Sequence, residues 1–440
     1  MAQTHGDPPQ KGQVSRLAQA RRKRRNKQIR RGVLIAALVL VVLVWLTGAY
    51  SSSLAMAQDL LESMQISLWK GEGFPVKTNI DEIYQVEPLA GGFVELGKSD
   101  LVVYSPSGRL LRSVQHGYSR PAISLGARRF CLYSRAGTEV RIEGRTKTLD
   151  TLSLENPVLF CSMAQNGTVA AVTRSGRYAA ELRVYDPSLR FIFGWNPTDA
   201  EGTPTRVAFA PDNHNMAVAC IRAENGSIGS SIYWLDTHKS EVQASVWVPN
   251  GMILQLQWLS GDKVLAVFDG FTALYDADDG QELARFDHSG SSLMAAHTAG
   301  RNTALLLADG PKGQYSRIVL LDHDLQLLGQ ALVQPDAFDV VCTRTAAYSL
   351  SQGSIRSYSL AGELQWQQEY EHPIKAVVQA KELLAFSAGQ AWKLEPPSAE
   401  KPPSNGAVPS SQHQEDSRPT EDPASQEGEP ERESNPQGSE

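Results

Sequence analysis

The sequence predicts an all-β fold of repeated four-stranded sheets, a β-propeller, carried behind one membrane-spanning helix. Three observations predict it. An uncharged apolar run of 19 residues, Gly32–Tyr50, directly follows a block of Arg and Lys. Beyond residue 73, short β-type runs alternate with turn residues for more than 300 residues, and one strand–turn–strand element recurs. Past Glu395 the composition turns abruptly to Pro, Ser, Glu and Gln.

At about 1.5 Å per residue, Gly32–Tyr50 reaches roughly 28 Å as a helix, close to the hydrocarbon thickness of a bilayer. A helix also satisfies its own backbone where lipid offers no partners. Trp45 and Tyr50 stand near its end, where amphipathic rings favour the interface. Ten Lys or Arg and no acid lie between Lys11 and Arg31, among them Arg21, Arg22, Lys23, Arg24, Arg25, Lys27, Arg30 and Arg31. This excess of basic residues places a disordered segment, 1–31, in the cytoplasm and the rest of the chain outside it. The same block would attract anionic headgroups at about 1 kcal/mol per residue, so membrane lipid is an expected partner. Its position before the span explains it without nucleic acid. The triplet Ala55-Met56-Ala57 carries the alternative, a signal peptide cleaved after Ala57.

The whole-chain charge of −6 conceals an asymmetry: residues 1–31 carry +9 and residues 396–440 carry −7, which leaves −8 for 32–395. The domain past the span is thus mildly acidic and no polyanion binder by bulk charge. Residues 51–72 read as a helical juxtamembrane stalk, with Leu54, Leu61, Met64 and Leu68 near one face. Residues 396–440 hold nine prolines and no Phe, Trp, Tyr, Leu or Ile, and so predict a disordered acidic tail.

The recurring element is a strand ending in an aromatic or Leu, a short polar turn, and another strand. Its anchors are Tyr104, Ile142, Tyr185, Leu235, Tyr275, Leu321, Tyr358 and Trp392, with spacings of 38, 43, 50, 40, 46, 37 and 34 residues. The mean, about 41, is the length of one four-stranded blade. Residues 157–174 supply a hairpin turning at Asn166-Gly167, a pair suited to positive φ. The Asn166 and Asn225 glycosylation sequons are read as such turns. Seven complete periods run from about Ile80 to Glu371, and Ile374–Leu394 supplies three strands of an eighth. The leftover 73–78 is expected to close the ring as the outer strand of that last blade, leaving no open sheet edge. Eight blades are favoured over seven, within a domain spanning 73–395.

Val207–Val218, with Ala210-Pro211-Asp212-Asn213 in the place of a Ser-Pro-Asp-Gly turn, resembles the inner hairpin of WD-repeat and TolB-like propellers. The Tyr-Asp and Leu-Asp pairs before turns are similar to those of quinoprotein-type propellers. Taken whole, the layout resembles an uncharacterised family of bacterial single-span membrane proteins with a degenerate propeller ectodomain. That resemblance implies fold and topology, and no activity.

Catalytic signatures are missing from the sequence: no nucleophile elbow, zincin helix, phosphate loop or dinucleotide fingerprint. The acidic run from Asp276 to Glu282 lacks calcium-loop spacing and reads as a strand-joining turn. The histidines have no short-range ligand spacing, so neither metal nor cofactor is expected. Cys131, Cys161, Cys220 and Cys342 all sit in strand-like apolar runs and read as buried thiols, with Cys131–Cys161 the favoured pairing should a disulfide form. Trp195, Trp234, Trp247, Trp258, Trp366 and Trp392 are expected to pack between blades. Arg177, Arg206, Arg222 and Asp212 fall in or beside turns of neighbouring periods, and repeat register suggests one binding rim. These features point to a non-catalytic, membrane-anchored binding or scaffolding module for an extracytoplasmic protein or envelope ligand. The alternatives are a propeller enzyme (hydrolase, lyase or quinone-dependent dehydrogenase) and an extracytoplasmic sensor.

Overall fold

The computed structural model describes residues 62–66, 68–69 and 71–396, apart from Ser260 and 311–313. The basic segment, the run Gly32–Tyr50, the triplet at Ala55–Ala57, most of the stalk and the tail beyond Pro396 lie outside these residues. Among the described residues, no helix is long and apolar enough to cross a membrane.

Eight four-stranded antiparallel sheets follow one another along the chain. Blades 1 to 7 occupy residues 83–115, 121–153, 158–195, 203–249, 253–287, 292–333 and 339–369. Blade 8 takes three strands from residues 376–393 and its fourth from Val76–Lys77. That fourth strand pairs Val76 with Ala391 and Lys77 with Gln390. The Thr78 amide extends the pairing to the Gly389 carbonyl at 2.8 Å, and Tyr104 Oη donates to the Lys77 carbonyl at 2.7 Å. The ring therefore closes where the leftover segment predicted it.

All eight sequence anchors lie on third strands. Several are followed by a residue whose side chain caps the next turn. Asp186 Oδ1 accepts the amides of Ser188 and Arg190 at 2.8 and 3.0 Å, and Asp322 Oδ1 accepts those of Asp324 and Gln326 at 2.9 and 2.8 Å. Ser105 Oγ does the same for Ser107 and Arg109. An anchor followed by Asp or Ser is thus a strand end plus a turn that supplies its own acceptor. Asp276 belongs to this class: its carboxylate accepts the Asp278 and Asp279 amides.

The apolar core is a ring rather than a centre. Eight clusters of buried side chains occupy the eight blade–blade interfaces, each drawing alternate residues from two neighbouring sheets. Second strands are buried on both faces, as in Gly92–Gly97 and Val169–Thr173, whereas fourth strands such as Thr148–Ser153 alternate toward solvent. Five of the six tryptophans contribute to these clusters; Trp247 instead lies under the Arg222 guanidinium at 4.5 Å. At the closing interface Phe93 stacks on Tyr104 (4.9 Å, 10°) and meets Phe386 edge-on (4.9 Å, 80°), with Phe74 and Val76 packed alongside.

One expectation needs correcting. At Asn166-Gly167 only the glycine is left-handed (φ +94°), because Asn166 Oδ1 accepts the Thr168 amide and shapes a different turn. Of the two sequon turns, the one with both residues left-handed is Asn225-Gly226 (φ +50° and +79°), at the tip of the long hairpin of blade 4. In the described part of the stalk, Met64 and Leu68 are 64% and 79% exposed, and polar contacts hold the helical turn to the propeller.

Two outcomes follow from this packing. Deleting Gly71–Thr78 strips the fourth strand and the Phe74 and Val76 contacts from the closing interface. Calorimetry should show a fall in melting temperature of roughly 10 °C, the effect of losing several kcal/mol in a domain of this size; an unchanged value would disprove closure by this segment. Glu95, fully buried on blade 1 beside Thr78, has its carboxyl pushed up from 4.5 to about 8 by burial. The folded chain keeps a proton that the unfolded chain releases above 4.5, so this group makes stability decline between pH 4.5 and about 8 and adds no slope beyond. Melting curves of Glu95→Gln should lack that component of the decline.

Candidate functional site

In each meander the chain runs down the first strand, up the second, down the third and up the fourth. The loops joining second to third strands and one blade to the next therefore share one end of the disc, the upper end. The first-to-second and third-to-fourth turns share the lower end. Neighbouring blades approach one another through their first strands, which line the central channel.

Five first strands carry a bulge near their upper start, at Ile83/Gln85, Val158/Phe160, Pro204/Arg206, Ile253/Gln255 and Leu293/Ala295. A bulge places one unpaired residue against the ladder and re-aims its side chain. The residues so displaced are Tyr84, Leu159, Thr205, Leu254 and Met294, and Tyr84, Leu254 and Met294 are 45%, 45% and 54% exposed. Phe338, just before the first strand of blade 7, is also exposed, and Ile228 and Tyr315 stand exposed on hairpins at the same end. The upper mouth is therefore rimmed by apolar side chains, where burial would otherwise be the default for residues of this size.

Below this collar the first strands are stitched together by polar side chains. Gln85 Oε1 accepts the Ile123 amide and its Nε2 donates to the Ile123 carbonyl, both at 3.2 Å, as a strand would. Ser124 accepts the Met163 amide, Ser162 donates to the Val207 carbonyl, and Arg206 Nε donates to the Leu254 carbonyl at 3.2 Å. Each link spends a polar group on the next blade. Near the axis, burial raises the carboxyl pKa of both Glu87 and Asp339.

The structure places Arg177, Arg206 and Arg222 toward the upper end and Asp212 at the lower end. Arg177 is exposed in the upper loop of blade 3, and Arg206 is exposed on the channel-lining strand of blade 4. Arg222 is committed to the fold: its guanidinium donates to the Ala200 carbonyl and Glu224, both at 2.6 Å, over the Trp247 ring. Asp212 lies at the lower end, where it caps its own turn through the His214 and Asn215 amides at 2.8 and 2.9 Å. Its partner Asn213 is left-handed (φ +64°) in the place of the expected glycine, a conformation Asn tolerates. Repeat register gives sequence phase but not which end of the disc a turn occupies. The collar was missed because a bulge is one inserted residue, invisible to a two-residue alternation.

Among the described residues no group of three or more His, Cys, Asp and Glu is placed to hold a metal. Cys342 and His297 form a close pair, the Cys342 amide donating to His297 Nδ1 at 3.2 Å and its thiol to the His297 carbonyl at 3.1 Å. Burial pushes the thiol up to about 11 and the imidazole below its usual value, so both stay neutral, the reverse of an activated thiolate–imidazolium couple. Cys131 and Cys161 meet across blades 2 and 3, as their favoured pairing implied, and all four cysteines are buried free thiols.

The chain belongs to a family of unknown function (DUF5711), which it matches over residues 74–389. The match covers the propeller and stops short of the apolar run. No curated protein matches the sequence. Among solved structures the chain is similar to BamB from Moraxella catarrhalis (13% identity, TM-score 0.50, 74% of this chain and 99% of that one). It is also similar to the computationally designed Ika8 protein (16%, 0.52, 74% and 98%) and to the C-terminal WD40 domain of Sif2 (12%, 0.52, 73% and 97%). At these identities the likeness is one of fold.

Because the four thiols are buried and three of them have raised pKa values, a maleimide should label none of them in the native protein within minutes and all four after denaturation. Native labelling of Cys342 would show that the Cys342–His297 pair is more open and reactive than its burial implies.

Proposed function

We propose that this protein is a non-catalytic binding module, tethered to the membrane through Gly32–Tyr50, whose upper channel mouth receives an extracytoplasmic protein partner. The observation that carries the reading is the collar of Tyr84, Leu254 and Met294, exposed by repeated bulges, together with Phe338, at one end of the ring. Apolar side chains at the centre of a polar surface are the composition of an interface core. Gln85, Ser124, Ser162 and Arg206, on the channel-lining strands, are engaged in blade-to-blade contacts, which favours recognition over chemistry. The WD40 and BamB likenesses support a scaffold of this kind. The basic block before the apolar run supports a topology with the propeller outside the cytoplasm.

Site-specific photocrosslinking in intact membranes tests the reading. A crosslinker at Met294 should give a discrete adduct, and one at Thr151, on the outer strand of blade 2, should give none. Adding Tyr84→Asp and Leu254→Asp should reduce the Met294 adduct about tenfold, the effect of losing one or two interface anchors. Equal adducts from both positions, or insensitivity to the Asp substitutions, would refute the collar as the docking surface. Release of the full chain by alkaline wash would refute the tether separately.

A further inference from the structure

The lower end carries a second site, at the point where the chain reaches the propeller. Residues 62–66 form a helical turn lying over the turns of blades 1 and 2. Arg145 pins it: its guanidinium donates to Ser63 Oγ at 2.8 Å and pairs with Glu62 at 3.4 Å, while the Thr146 hydroxyl also donates to Glu62. Between this turn and the propeller lies a half-open cavity of about 730 Å³.

Its charged lining is cationic. Arg128 comes from the lower turn of blade 2, Arg145 from the next turn of the same blade, and Lys381 from the lower turn of blade 8. Glu62 is the one carboxylate paired with this set among the described residues. Among the described residues the Arg128 and Lys381 side chains form no ion pair or hydrogen bond, and the buried Nε of Arg145 has no hydrogen-bond partner. Three cations against one carboxylate leave a cavity with excess positive charge, the electrostatic counterpart of an oxyanion.

Its surroundings select the kind of oxyanion. Leu68 and Trp69, beside the pinned turn, are 79% and 64% exposed, and Arg109 covers the Trp69 ring at 5.1 Å. Around the same end, fourth strands open with Leu110, Phe191, Leu283, Leu327 and Leu364, each 47–56% exposed. Tyr50 and Glu62 are twelve residues apart, a reach of at most about 40 Å even when extended. Apolar groups that flank a basic pocket close to the end of a span match the headgroup region of a bilayer.

We propose that this cavity binds the phosphate of an anionic phospholipid headgroup, held between Arg128 and Lys381 with Arg145 as a third fixed charge. The lower end of the disc then faces the membrane and the collar faces away from it. The lipid source rests on the tether described above; the affinity for a phosphate ester does not.

The test uses the full chain in nanodiscs and reads acetylation of Lys381 by a water-soluble reagent, with Lys98 at the upper end as internal control. Discs containing phosphatidylglycerol should lower Lys381 modification several-fold relative to Lys98, compared with phosphatidylcholine discs. Arg128→Gln should abolish that protection without changing the melting temperature. Glycerol phosphate added to phosphatidylcholine discs should protect Lys381 in part. Protection by glycerol phosphate alone would assign the cavity to a free phosphate ester and overturn the lipid source. Protection by neither, or protection that survives Arg128→Gln, would overturn the site. A chain stripped from membranes by alkaline wash, yet still protected by glycerol phosphate, would sink the tether and leave the anion site standing.

Discussion

Ring closure is the constraint on which the rest of the structure depends. In an open array each repeat buries its faces against neighbours, and the terminal repeats are left with one face bare. Here the bare faces would be those of blades 1 and 8, which carry Phe93, Tyr104 and Phe386. Two residues, Val76 and Lys77, supply the missing strand and bring Phe74 with them. Closure thus turns two exposed terminal faces into an eighth apolar interface at the cost of ordering a few residues. It also buries Glu95 beside Thr78, where burial raises the carboxyl pKa from 4.5 to about 8.

How far the sequence disclosed this architecture depends on the physics of each feature. The anchors were legible because an aromatic or Leu at the end of a third strand must fill an interface, and the Asp or Ser after it must cap a turn. Both requirements recur in most blades. The widest anchor interval, 50 residues from Tyr185 to Leu235, reflects the ten-residue strands Asn215–Glu224 and Ser227–Asp236 together with the loop before blade 4. The bulges left no mark because they add a residue without changing composition. The two ends of the disc were equally hidden: Asp212 and Arg222 are ten positions apart in sequence but sit at opposite ends, which only the path of the second strand decides.

The ends differ in chemistry as well as in position. Several lower turns are capped by their own side chains, as at Asp186, Asp212 and Asp322. Such turns present fixed backbone and a few outward charges, which suits apposition to a surface. At the upper end, the long hairpin of blade 4 is braced by Arg222 against Trp247 and the Ala200 carbonyl. The collar sits inside this braced end on strands stitched blade to blade, so its apolar side chains are displayed on a rigid frame.

One segment serves both ends of this arrangement, because the strand that closes the ring is also the chain's approach from the N-terminal side. A load on that approach would act first on the closing strand if nothing intervened. Two contacts intervene. The Arg145 grip on Glu62 and Ser63 comes first along the chain, and the Gly71 and Gly73 amides then bond to Ser107 Oγ and its carbonyl at 2.8 and 3.1 Å. Both anchor points belong to blades 1 and 2, whose faces are buried on either side. Force arriving from the N-terminal side would therefore pass to the interior of the ring before it reached Val76, and the two-residue strand has only to close the circle.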